Sequence, residues 1–454
     1  MKKAEWLRKA VKRKLKERDK GVVDFIWIMR HFFGHLRDWI EEMEDPRHSS
    51  YTIYTQSDLV FMGLMKNICS VGSMRQMEDR FNEETCIDTL RLLSGHAGLE
   101  EMPHYDTLNT YLSKLSPDCL SELRKRMSVS LLRGKQFYRG RLLGKYWRVI
   151  LDGTGLFYFK ERHCPNCLSE TRKKEDGRIE KRYYHKVLEA KLVLGEKLVL
   201  SLGTEFIENE REDVSKQDCE LNAARRLLSR IKKEYPRLKI CLQGDALYTV
   251  EPMMKLCRKN GWGYILTQKE SRQKTVGEMY DWICKGGGQK GRDRICREKG
   301  KGAYVNGVEE TAGKRERMNL YEYEYETEKR GKRQKIKFQW ITNIEVTVRN
   351  LEELIEAGRG RWKIENEGFN NQKNGQYRIS HINSRNSRAM KNHYLLTQIA
   401  DIVMQLYLCW SPMIREVGQS IKNTSSRLLE SFRRHTITKE DVLYIERYTA
   451  VYLS

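Results

Sequence analysis

Apolar residues recur with helical spacing from Val22 to Met43, where Phe25, Ile26, Ile28, Met29, Phe32, Phe33, Leu36, Trp39 and Ile40 gather on one stripe. That periodicity is what a helix needs to bury one face. Residues 57–82 and 88–94 repeat it. In the stretch from Pro103 to Leu112, Asp106 or Thr107 is placed to cap exposed amides, with Leu108, Tyr111, Leu112 and Leu115 on one face beyond. The first part of the chain is therefore predicted to be mostly helical. A helix-turn-helix fits there, and so does a plain helical bundle.

The period changes at Lys145. Tyr146 to Leu151 reads as a buried strand ending at Asp152. Lys186–Val193 and Lys197–Glu205 alternate in strand fashion around a turn at Gly195-Glu196. Asp218–Glu234 is predicted as an amphipathic helix, Lys239–Gln243 as a strand delivering Asp245, and Glu251–Asn260 as a helix closed by Gly261. Gly263–Gln268 completes the series as a further strand. Strands alternating with helices predict a mixed α/β core. Between residues 270 and 342 the pattern is different: a Gly-rich basic loop, then the strict alternation Tyr321–Glu326 and a partner strand at Lys335–Thr342. This predicts a β-rich insertion. Helix returns from Asn350, and the tail from Ser426 is helical and basic at first.

Charge narrows the function classes. The chain of 454 residues carries a formal charge of +23, spread along most of its length rather than parked in a tail. That balance favours a polyanionic partner, because Lys and Arg at phosphates release condensed counterions. Residues 1–20 read as a basic arm or as a solvated charged face. No apolar run is long enough for a membrane span. Eleven scattered cysteines without a signal peptide point to reduced thiols and a cytosolic setting. His163-Cys164-Pro165-Asn166-Cys167 contains a lone CxxC; His185 is a possible third zinc ligand, and a fourth is missing.

The candidate chemistry lies in three carboxylates. Asp152 and Asp245 each follow a short apolar run, and Glu365 lies early in the segment Arg361-Trp362-Lys363-Ile364-Glu365. Carboxylates delivered from two strands and a helix can hold a pair of Mg²⁺ ions, for which Mn²⁺ may substitute; such ions sit about 4 Å apart and favour hard oxygen ligands. In this reading Asp152 bridges both metals, Asp245 completes one site and Glu365 the other. Taken singly, each aspartate is as readily a turn former and Glu365 an ordinary helix residue. Arg361 shares a helix face with Glu365. Arg361 and Lys373 are predicted to contact DNA phosphates, with Arg359 and Lys363 adding to this. Trp362 either stacks on a base or packs in the core.

The runs Trp340-Ile341-Thr342-Asn343 and Gly358 to Asn370, with Leu151-Asp152-Gly153-Thr154 and Gly244-Asp245-Ala246 upstream, resemble the DDE transposases of bacterial insertion sequences. The resemblance is to the branch with a β-strand insertion in a ribonuclease-H-like core. That branch carries a Y-R-E-K-type signature around its glutamate. Two positions depart from it: Gly358 stands where the tyrosine belongs, and Lys373 falls one residue late, with Gln372 in its place.

The resemblance implies cut-and-paste transposition: cleavage at the element's terminal inverted repeats and joining of the 3′ ends to double-stranded target DNA. It also implies a homodimer on DNA and a cytoplasmic, nucleoid-associated bacterial protein. The alternatives are a metal-dependent nuclease of the same fold and a transposase-derived, non-catalytic DNA-binding protein. The expected organisation is a helical N-terminal DNA-binding region (1–144), a ribonuclease-H-like core in two parts (145–269 and 343–425) interrupted by the β-rich insertion (270–342), and a helical tail (426–454).

Overall fold

The computed structural model describes residues 20–173, 176–195, 198–269, 278, 294–297, 300–309, 317–329, 332–364, 369, 372–373, 375–411 and 421–450. The basic stretch at the N-terminus lies outside them, apart from Lys20. The chain forms two compact units, Met1–Gly134 together with Asn370–Ser454, and Lys135–Phe369.

The first unit is helical among its described residues. Its helices are α1 (Gly21–Phe32), α2 (Leu36–Glu41), α3 (Gln56–Ile68), α4 (Gln76–Phe81), α5 (Glu84–Ser94), α6 (Tyr105–Lys114) and α7 (Pro117–Arg133). Thr55 and Asp58 close a reciprocal capping box at the start of α3, which fixes that end without help from packing. At α6 the sequence expectation of an Asp106 or Thr107 cap is replaced by His104, whose ring accepts from the Asp106 amide at 3.1 Å. An imidazole nitrogen meets the same need as a carboxylate there, and the helix begins earlier as a result. The unit is completed from the far end of the chain by α11 (Ser387–Trp410), α12 (Ile421–Arg434) and α13 (Lys439–Ala450); α10 belongs to the second unit and is introduced below. Along most of its length α11 is buried on every side, including Asn392, which donates to the oxygens of Leu112 and Leu115 at the end of α6. Phe25 of α1 meets Tyr407 and Phe432 edge-on.

The second unit is built on one sheet of ten strands. Strands β1 (Trp147–Phe159), β2 (Leu168–Lys173), β3 (Ile179–Gly195) and β4 (Leu198–Ile207) come first, followed by helix α8 (Glu220–Glu234). Next are β5 (Ile240–Gly244), helix α9 (Glu251–Lys259) and β6 (Gly263–Thr267). β3 pairs antiparallel with β1 and β4, while β5 pairs parallel with β1 and β6 parallel with β5. The spatial order β4-β3-β1-β5-β6 is the expected ribonuclease-H-like, mixed α/β arrangement. β5 is buried at every residue, as parallel strands covered on both faces must be.

One sequence expectation changes here, and the place of the insertion in the sheet becomes visible. Asp152 does not end its strand: β1 continues to Phe159, because β3 goes on pairing with it after β5 has stopped. The β-rich insertion, with β7 (Arg294–Arg297), β8 (Gly300–Glu309), β9 (Arg317–Lys329) and β10 (Lys332–Thr342), is not a separate sheet. β10 hydrogen-bonds antiparallel to β6, so the insertion extends the core sheet from that edge. Helix α10 (Leu351–Ile364) then covers both parts. Its Leu351, Leu354, Ile355 and Ala357 share one apolar cluster with Cys241 and Ile265 of the core and with Tyr321 and Trp340 of the insertion.

Candidate active site

Register places the two aspartates. The last paired residues of the parallel strands β1 and β5 are Ile150 and Gln243. Asp152 lies two residues beyond Ile150 in β1, and Asp245 two residues beyond Gln243, just past the end of β5, so the register brings both to the same end of neighbouring strands. Both are half-buried. Alternation puts Asp152 on the face of Ile150 and Arg148, and Asp245 on the face of Gln243 and Cys241. Cys241 and Gln243 both meet α10, so this is the face that α10 covers. The side chain of Asp245 also accepts from the Leu247 amide at 2.8 Å, which fixes the turn after β5.

Helix α10 climbs this face towards the aspartates. Near its start Glu353 accepts from the amide of Leu143, just before β1. A turn later the Ala357 oxygen accepts from the Gln243 amide at 2.7 Å. Arg148 is held below its ordinary pKa, chiefly by burial, with Glu353 and Glu356 of α10 among the groups opposing that shift. From Ala357 to Arg361 the helix rises about 6 Å, and from Gln243 to Asp245 the strand advances about 6.6 Å. Arg361, half-buried, follows about one turn after Ala357 on the same helix. The described helix ends at Ile364. Glu365 lies outside the described residues, as do the side chains of Trp362 and Lys363.

Several functional candidates were not singled out from sequence. The hydroxyl of Tyr248 donates to Glu220 of α8 at 2.9 Å. Its pKa is raised by burial first, then by Glu220, Asp152 and Asp245, so both aspartates act on this one hydroxyl. Glu220 also pairs with Lys186 of β3, and a Cβ built on Gly153 would lie 2.5 Å from its carboxyl carbon. Directly across from Asp152 on β3 is Glu189, fully buried and held by the hydroxyls of Ser201 (2.6 Å) and Thr204. Lys191 lies beside Glu189, its ammonium 5.8 Å from the ring centre of Phe369. Their only signal in the sequence is charge inside otherwise apolar strands, which an alternation reading assigns to a solvated face.

The cationic candidates divide. The guanidinium of Arg359 lies over the rings of Tyr323 and Tyr325 in β9, 5.3 and 5.4 Å from their centres. Lys373 belongs to the first unit, next to Gln372, whose buried amide donates to Asp401 at 3.0 Å and Gln398 at 3.3 Å. Gly358, in place of the signature tyrosine, has a cause in packing. A Cβ there would lie 2.5 Å from the indole of Trp340. That indole is itself stacked between Tyr321 and Phe338.

Fold and site together define a mixed α/β protein that brings two carboxylates to neighbouring strands under a covering helix. Residues 198–400 match the family model of the transposase DDE domain, the class that the motifs resemble. The matched stretch contains Asp245 and Glu365 and begins downstream of Asp152. A similar solved structure is the cryo-electron microscopy synaptic complex of the piggyBac transposase with hairpin DNA. It is 12% identical, covers 95% of this chain and 85% of its own, and superposes with a TM-score of 0.41. No curated protein matches the chain. Among the described residues, no helix is long and apolar enough to cross a membrane.

Proposed function

We propose that this chain is a DNA transposase that cleaves the ends of its element and joins the 3′ ends to target DNA. The observation that carries the reading is that the parallel β1–β5 pairing ends at Ile150 and Gln243, each two residues before an aspartate, in a chain whose stretch matching the DDE domain also spans Glu365. The oxygen-only, half-buried donor set fits divalent magnesium rather than a softer metal. Asp152 would serve both ions, with Asp245 and Glu365 serving one each. When bound, the pair supplies an activated water or 3′ hydroxyl and neutralises charge at the leaving oxygen.

The protein's own residues do the positioning. Gln243 holds α10 against β5, so that the segment leading to Glu365 is fixed relative to Asp245. Arg361, on the helix turn after Ala357, would meet a backbone phosphate beside the scissile bond. Tyr248 stays a neutral donor at neutral pH, because burial and three carboxylates oppose its ionisation. The excess of 23 positive charges suits a duplex partner, the terminal inverted repeats and target DNA. A homodimer on paired ends and a cytoplasmic site of action go with this reading.

The test is cleavage of the DNA flanking the gene, with Mg²⁺ or Mn²⁺, beside Glu365→Gln. Metal-dependent cuts at paired inverted repeats, with transfer of the 3′ ends and loss of both in the variant, support the proposal. Cutting without transfer would instead favour a nuclease. Binding without cutting by the unaltered chain would reduce it to a DNA-binding protein.

A further inference from the structure

The loop joining β1 to β2 has a second donor set, chemically unlike the first. Both strands pair with β3, Tyr158 and Leu168 each opposite Tyr184, so the connection must cross over β3. It carries Cys164 and Cys167 across to His185, the residue after that register point. The two sulfurs are 3.6 Å apart, and each lies 3.4 Å from His185 Nε2. A disulfide would need about 2.05 Å, so the sulfurs are not bonded to each other.

Tetrahedral geometry accounts for the spacing. With metal–sulfur bonds of about 2.3 Å and a metal–nitrogen bond of about 2.05 Å, tetrahedral edges are about 3.8 Å between sulfurs and about 3.6 Å from sulfur to nitrogen. The three donors sit within a few tenths of an ångström of those values. The loop is fixed from behind by contacts that do not involve the donor atoms. Asn209 donates to the Cys167 oxygen at 3.0 Å and exchanges hydrogen bonds with Asn166 at 2.9 and 3.1 Å. Arg162 adds a bond to the same Cys167 oxygen at 3.3 Å. The Cys164 amide points at the Cys167 sulfur, 3.4 Å away, which fixes that sulfur's position. The His185 ring is set edge-on to Phe157 and Phe159, which limits its rotation. Cys167 and His185 are buried.

We propose that Cys164, Cys167 and His185 bind one Zn²⁺ ion, with solvent at the fourth vertex. Two sulfurs and an imidazole are a donor set for zinc and not for magnesium. Among the described residues no other Cys, His, Asp or Glu joins the cluster. Binding exchanges protons for metal: two S–H bonds break, two Zn–S bonds form, and two protons leave to solvent. The ion clamps the crossing loop to β3, one residue before Lys186, the partner of Glu220. The inference stands on this geometry alone and does not depend on the DNA-cutting reading.

The test uses the full-length chain purified without chelator. We expect about one zinc per chain by elemental analysis, falling at least about tenfold in Cys164→Ser, Cys167→Ser and His185→Gln. Cobalt exchanged into the unaltered chain should give intense visible bands and a thiolate-to-cobalt charge-transfer band, a readout that needs no variant to fold. A folded chain dialysed against zinc that retains none, and gives no thiolate-to-cobalt band, would overturn the site.

Discussion

The side-chain amide of Gln243 donates to the main-chain oxygen of Ala357 at 2.7 Å, tying the middle strand of the core to the helix that leads to Glu365. Both residues are buried, and Gln243 lies two positions before Asp245. The Gln243 Oε1 atom is also buried and has no hydrogen-bond partner among the described residues. Gln243→Leu removes one made bond and one unmet acceptor, so its effect on stability is small, within about 1 kcal/mol. Its effect on cleavage should be larger, on the order of tenfold, because a displacement of about 1 Å in a positioned group is costly. Thermal melting and single-turnover cleavage measured together check this. A loss of activity no greater than the loss of folded protein would deny Gln243 a positioning role.

Gly358 gives a second test, this time of packing. The indole of Trp340 occupies the space a Cβ would need, and it is held there by the stack Tyr321–Trp340–Phe338. Gly358→Ala should therefore destabilise the chain by about 1–3 kcal/mol despite alanine's higher helix propensity. Trp340→Leu costs stability by itself, yet it should relieve the alanine. The double variant is expected to be more stable than the sum of the two changes predicts, read by urea denaturation. Simple additivity would show that the two residues are not coupled.

Much of the architecture was legible because it is written in local periodicity. β5 is a continuous apolar run bounded by turn residues, and α9 is followed by Gly261 at φ +68°. What stayed hidden depends on pairing. Nothing in Tyr146–Leu151 says that β3 continues past the end of β5, so Asp152 read as the end of a strand. Nothing in Lys335–Thr342 says that it pairs with β6. The site divides the same way. Asp152 and Asp245 stood out because they interrupt apolar runs. Glu189 did not, because its hydroxyl partners Ser201 and Thr204 lie on another strand and are met only through register. Cys164, Cys167 and His185 read as an incomplete set because a fourth ligand is missing from the sequence pattern; that the three meet at all is settled by the loop's crossing over β3.

Acid and alkaline stability should both bear the mark of the helical unit. Burial, with Lys66 second, pushes the His393 pKa down to about 3, and burial, with Arg378 second, lowers Lys66 from 10.5 to about 8. Both folded values lie below the unfolded ones, so in each window the unfolded chain binds more protons and stability rises with pH. For His393 the contribution is complete above about 6.5 and is lost as pH falls towards about 3. For Lys66 the cost of a buried charge persists below about 8 and is relieved as pH climbs towards about 10.5. Lys66→Met should raise stability at neutral pH by about 1–3 kcal/mol. It should also flatten the alkaline limb of a melting-temperature profile. His393→Gln should flatten the acid limb. Limbs that keep their slopes would place the titration elsewhere.

Substitution at Asp245 can separate folding from chemistry. Its side chain accepts from the Leu247 amide, a bond that an asparagine oxygen can keep. Asp245→Asn should therefore melt within a few degrees of the unaltered chain and lose metal-dependent cleavage, as Asp152→Asn should. Asp245→Ala loses the turn bond as well and costs about a further 1 kcal/mol. Metal-dependent cleavage retained by the asparagine variant would remove Asp245 from the ligand set.

Arg359 and Arg361 are two residues apart on one helix, and the structure predicts different consequences for them. Arg359 lies over Tyr323 and Tyr325, an interaction worth about 0.5–1 kcal/mol at an exposed site. Its guanidinium is thus engaged with the insertion. Arg361 lies about one turn beyond Ala357, the residue bonded to Gln243, and is the proposed phosphate contact. Arg361→Ala should weaken DNA binding, lower the slope of log affinity against log salt by about 1, and slow cleavage. Arg359→Ala should leave the salt slope nearly unchanged and loosen the fold slightly. Titrations with labelled duplex at several salt concentrations separate the two. If Arg359 carried the phosphate contact instead, the pattern would invert, with the aromatic rings of β9 forming one wall of the DNA path.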